Sequence, residues 1–156
     1  IFEMIDNEPD SRRIVATMWN PKQLDQMALP PCHHTMQFNK RRTEKGLYID
    51  LMVMQRSADV AVGLPYDVSL YALLHILICH QTNYLIGDLI FSIGDTHIYY
   101  NQLESIDKYL HNECSTLPEL CIEEFSRIKL LVDTDLSGIK LKNYKHGNHI
   151  KFPVAI

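Results

Sequence analysis

The chain has 156 residues, a formal net charge of −4 and 46% hydrophobic residues. That balance fits a single domain, residues 1–156, able to bury a sizeable core. It excludes a membrane span, since no apolar run reaches about eighteen residues, and a surface built throughout to grip nucleic acid.

The opening "IFEMIDNEPDSRR" reads as the end of a helix running into a loop. It lacks the charge pattern of a signal peptide, and a start inside an element is expected of a fragment. "RRIVATMW" (12–19) is β-branched and apolar and predicts a strand, and "NPKQLDQMALPP" (20–31) a proline-bounded connection with one helical turn. Strands are expected at 34–38 and 47–57, an antiparallel pair flanking the charged turn "NKRRTEKG". Residues 66–82 are apolar nearly all the way round and predict a buried helix. A strand at 87–95 and an amphipathic helix at 97–111 follow, then weaker strands around "LCIEE" and "GIKLKNY". Helices and antiparallel strands mixed in one unit make the class α+β.

The four cysteines, Cys32, Cys79, Cys114 and Cys121, have no framework spacing and no CxxC. They read as reduced thiols of a cytoplasmic type of compartment. Within "ALPPCHHTMQF", Cys32 stands where a proline-stiffened loop feeds a strand. It is a nucleophile, a buried filler or a metal ligand. Zinc is disfavoured because Cys32 and His33 are adjacent, so on a strand they point to opposite faces. His75 and Cys79, four apart on an apolar helix, read as core packing.

Taken in order, "EPDSRRIVATMWNPKQLDQMALPPCHHTMQF", "LYIDLMVMQRSADVAVGLPYD", "GDTHIYYN" and the closing "IKFPVAI" closely resemble the thymidylate synthase family, which includes the pyrimidine-nucleotide hydroxymethylases. The likeness runs from end to end of the chain and covers the C-terminal part of a family member. It implies a partial domain with a thymidylate synthase-like mixed sheet and a long buried helix. It also implies a homodimer, and transfer of a one-carbon unit from 5,10-methylenetetrahydrofolate to C5 of a pyrimidine nucleotide, dCMP or dUMP.

C5 of a pyrimidine is a poor nucleophile, and a thiolate adding at C6 turns the ring into an enolate or enamine equivalent that can attack. Cysteine combines thiolate population with nucleophilicity near neutral pH, given positive surroundings and partial exposure. By resemblance Cys32 is that nucleophile, and His33 lies near the base carbonyl. A phosphate needs a planar, bidentate cation. The resemblance assigns it Arg12 and Arg13, reaching across the dimer, with Arg56 and Ser57 from "QRS" in the same subunit. His97 and Tyr99, two apart on an extended segment and so on one side, match the pair that binds the sugar 3′-hydroxyl. Gln55 lines the nucleotide site. Asp59, Gly63, Tyr144 and the terminal Ala155 and Ile156 match the folate side, where the tail closes over the cofactor and excludes water.

The family stretch "GLPFN" reads "GLPYD" here, so Asp67 replaces an asparagine. An asparagine amide can accept from uracil N3–H and donate to O4. Cytosine reverses that pattern, and an ionised carboxylate suits its 4-amino group. A protonated Asp67 could instead donate to N3. Members acting on dCMP resemble this chain at the position, so the expected substrate is dCMP, with dUMP the alternative. Asp67 can also be read as a helix N-cap. "PPCH" and "PVAI" stand closer to thymidylate synthases than to phage hydroxymethylases.

The family's "YxPHPxIK" reads "YKHGNHIK" (144–151), which alters the folate lid. The family's N-terminal part, with a further phosphate arginine, a glutamate and a tryptophan, has no counterpart here. This stretch by itself is therefore expected to turn over little substrate. A non-catalytic nucleotide-binding subunit or truncated paralogue is the alternative from another class.

Overall fold

In the computed structural model, residues 1–113, 116–123 and 137–154 are described. They fall into two units, residues 1–99 and 100–156. Cys114, Ala155 and Ile156, named above, lie outside the described residues.

The first unit opens with a short helix α1 (Phe2–Asn7) and continues through strands β1 (Val15–Thr17), β2 (His33–Thr43) and β3 (Gly46–Asp59). Helix α2 (Gly63–Thr82) then carries the chain over to strand β4 (Leu85–His97). The sheet order is β1-β2-β3-β4; the first three strands are antiparallel and β3–β4 is parallel, so the sheet is mixed. A parallel pair needs a crossover, and the twenty residues of α2 supply it.

Period-two alternation on β3 sets the core: Ile49, Leu51 and Val53 are fully buried on one face. α2 meets that face with Tyr71, His75, Ile78 and Cys79, at i, i+4, i+7 and i+8. Phe38 from β2, Ile14 and Ile5 complete the cluster. His75 Nε2 donates to Ile49 O over 2.7 Å, so with Cys79 it belongs to the core, as its helical spacing implied. Burial of α2 follows its second half; Tyr66, Val68 and Leu70 in the first half are exposed.

Several boundaries differ from the sequence expectation. The strand expected over 12–19 narrows to Val15–Thr17, because only these residues pair with Thr35, Met36 and Gln37. The charged turn shrinks to Glu44 and Lys45, with Thr43 opposite Gly46. Two of its cations are strand residues with partners: Lys40 with Asp10, and Arg41 with Asp50, Asp88 and the face of Tyr48. α2 starts three residues early, its entry fixed by Asp59 Oδ1, which accepts from the N–H groups of Ala61 (2.9 Å) and Val62 (3.2 Å). It ends at Asn83, in the left-handed region at φ 57°. β4 is longer than expected and holds an irregularity between its pairings with Ile49 and Leu51. Gly87 sits there because a Cβ would overlap Asp50 Oδ1 and the Ile49 carbonyl.

The second unit has a 3-10 turn (Tyr100–Gln102), helix α3 (Leu103–Leu110), and an antiparallel pair of β5 (Glu119–Ile122) with β6 (Ile139–Lys142). The helix expected from residue 97 begins only at Leu103, since His97 is still strand and its carbonyl accepts from Val60 N. The segment 151–153 lies along α3: Ser105 Oγ donates to Lys151 O and Tyr109 meets Phe152 edge-on. Among the described residues no helix is long and apolar enough to cross a membrane.

Candidate active site

Cys32 leaves the double-proline turn immediately before β2, and Arg56 on β3 fastens that turn. The Arg56 guanidinium donates from Nη2 to Pro30 O (2.8 Å) and from Nε to Pro31 O (3.1 Å). Nη2 also reaches Cys32 Sγ at 3.6 Å. The backbone adds a bond from Arg56 N to Cys32 O (2.8 Å). The sulfur is half-buried beside a fixed cation, the setting that thiolate chemistry requires. Gly94 stands opposite, where a Cβ would lie 2.9 Å from Arg56 O, so the parallel strand closes tightly against the latch.

A bulge at the start of β2 separates His33, opposite Gln55, from Thr35, opposite Met54. His33 turns toward α2 and meets Tyr71 edge-on with ring centroids 5.5 Å apart. His34 packs edge-on against Trp19. Gln55 is buried, and its Nε2 donates to Asp67 Oδ2 at 2.6 Å. Asp67 Oδ1 is 3.5 Å from His33 Nδ1. Among the described residues, His33 Nδ1 and Gln55 Oε1 are buried without a hydrogen-bond partner. A buried orphan costs about 1–3 kcal/mol and a charge-assisted bond contributes about 1.5–3 kcal/mol, so the Gln55–Asp67 contact offsets its own unsatisfied oxygen. Asp67 does not cap α2: it is the fifth helical residue and its carboxylate turns to β3. Burial, with the charge of Asp67 adding, pushes the Tyr71 phenol up to about 12.

The remaining candidates have surroundings of their own. Ser57 pairs with Asp95, and Asp59 with His97, at the carboxyl ends of the parallel pair. His97 Nδ1 lies 3.3 Å from Asp95 Oδ1, and its ring meets that of Tyr99 at 4.9 Å. Gly63 begins α2, and a Cβ there would meet only Asp59 Cβ at 3.9 Å. Arg12 and Arg13 are exposed ahead of β1. Tyr144 belongs to the second unit, where its ring lies near His146. Among the described residues no three His, Cys, Asp or Glu side chains gather as a metal site would need.

Three contributors, Tyr71, Trp19 and His34, escaped the sequence reading. Tyr71 follows Asp67 by four helical residues, a spacing that places it on the same helix face. Trp19 and His34, with Thr17, Thr35 and Arg56, line an open cleft. Only the "MWNP" stretch hinted at the indole.

A family model described as thymidylate synthase matches residues 1–156. The chain belongs to the thymidylate synthase family. Among solved structures it is similar to the thermostable thymidylate synthase A from Bacillus subtilis, with a TM-score of 0.87 and 35% identity. That match covers 99% of this chain and 54% of the other, so the chain spans about half the length of its relative. The expected α+β class and mixed sheet are borne out by the family's fold.

Proposed function

We propose that the protein containing this chain transfers a one-carbon unit to C5 of a pyrimidine nucleotide, with dCMP as substrate. The observation carrying the reading is the grouping of Cys32, Arg56, His33, Gln55 and Asp67 around the start of β2 and the first half of α2. The Cys32 sulfur adds at C6, in thiolate form accepting a charge-assisted hydrogen bond from Arg56. The Asp67 carboxylate accepts from the 4-amino group of cytosine, as Asp and Glu do in base readout. Uracil presents O4 there instead, and mispaired buried polar groups discriminate strongly.

For the sugar, His97 and Tyr99 lie together at the end of β4, where a hydroxyl can meet both. Arg56 and Ser57 serve the phosphate, and Arg12 and Arg13 complete the clamp of a second copy in a homodimer. The folate side draws on Asp59 and Gly63: the open approach at Gly63, beside an acidic residue and next to the nucleotide cluster, fits a flat pteridine. When bound, 5,10-methylenetetrahydrofolate supplies the carbon at the formaldehyde oxidation level. By resemblance, Tyr144, Ala155 and Ile156 serve the folate as well.

The similarity to a thymidylate synthase favours a second reading, dUMP as substrate. Incubation of the full-length protein with methylenetetrahydrofolate and each nucleotide, followed by mass measurement, separates the two. A 5-methyl or 5-hydroxymethyl cytidylate supports the proposal; turnover of dUMP alone refutes it and leaves the family chemistry standing.

A further inference from the structure

We propose that Gln55 is a positioning residue that holds the Asp67 carboxylate in one rotation, so that the pair, and not Asp67 by itself, sets which pyrimidine edge is accepted. The inference rests on the nucleotide reading of Asp67 given above. The Gln55 amide has one productive orientation. With Nε2 toward Asp67 Oδ2 the contact is a 2.6 Å charge-assisted bond; turned over, Oε1 would face Oδ2, acceptor against acceptor.

The orientation is kept although it leaves Gln55 Oε1 buried and without a partner among the described residues. The carboxylate therefore dictates the amide, and the amide occupies Oδ2. Oδ1 is left as the oxygen open to a ligand, on the side of His33 Nδ1. An asparagine at position 67 would meet Gln55 either way round, with the two amides exchanging donor and acceptor. The one-way lock exists only for the Gln–Asp combination.

The test is equilibrium binding of dCMP and dUMP to the full-length protein by titration calorimetry, for wild type, Gln55→Met, Asp67→Asn and the double variant. Gln55→Met keeps volume and removes the donor, and should weaken dCMP by roughly tenfold to a hundredfold, the worth of one charge-assisted hydrogen bond, with a smaller loss for dUMP. In the Asp67→Asn background the same substitution should move the dCMP-to-dUMP ratio by less than about twofold, a non-additivity that loss of packing would not produce. Gln55→Asn, whose shorter amide falls short of Oδ2, carries the same expectation should Gln55→Met fail to fold. The inference is overturned if the ratio in Gln55→Met stays within about twofold of wild type, or changes equally in both backgrounds. A wild-type preference for dUMP defeats the cytidylate reading alone; the coupling between positions 55 and 67 still decides the role of Gln55.

Discussion

Replacing Arg56 by lysine should loosen the turn that carries Cys32. The guanidinium spans two consecutive carbonyls, Pro30 O at 2.8 Å and Pro31 O at 3.1 Å, from two nitrogens of one plane. An ammonium is a point charge and cannot reproduce that fork. Hydrogen bonds to charged groups contribute about 1.5–3 kcal/mol each, and half-exposure places Arg56 at the low end, so losing one should cost about 1–2 kcal/mol. Arg56→Met loses both and should cost more. The backbone bond from Arg56 N to Cys32 O survives either change, so β2 and β3 should still pair. Urea unfolding of the full-length protein measures the order wild type, lysine, methionine. If both variants unfold within about 0.3 kcal/mol of wild type, the side chain does not fasten the turn and the reasoning fails.

Gly87→Ala should destabilise by about 2–3 kcal/mol, since the new methyl meets the backbone of Ile49 as well as Asp50; a thermal melt unchanged from wild type would contradict it. The Arg41 hydrogen bond, helped by the Asp88 N–H, holds the Asp50 carboxyl below the usual carboxylate range. Its contribution is thus full above the unfolded value near 4 and fades as the pH falls through the folded value, so Asp50→Asn and wild type should differ in unfolding free energy at neutral pH and converge in acid. Burial raises the Tyr71 phenol to about 12 and the Cys79 thiol to about 11. The folded state then holds protons that the unfolded chain releases, so stability should decline as the pH rises from about 9 to 12. Tyr71→Phe and Cys79→Ala together should flatten that decline in an alkaline denaturation series.

Much of the arrangement was legible because local chemistry and tertiary structure agree. The apolar run at 47–57 marked β3, and the order of the Cys32, Arg56, Asp67 and His97 motifs pointed to the family. The charged hairpin was misjudged because a strand containing Lys40, Arg41 and Arg42 depends on partners distant in sequence, Asp10, Asp50 and Asp88. The helix placed at residue 97 failed for a similar reason: pairing of His97 with Asp59 outweighs local helical pattern. The Gln55–Asp67 contact spans a strand and a helix, and spacing of twelve residues signals nothing without the turn between them.

The bulge ahead of Thr35 has a consequence for how such a protein can change over time. Because side chains alternate, the one surplus residue is what lets His33 turn to Tyr71 while His34 packs on Trp19, and removing it would leave a single imidazole for the two places. Losing a single codon there would therefore strip one of the two places of its ring. Homologues should therefore hold residues 32–59 at constant length and place their insertions elsewhere.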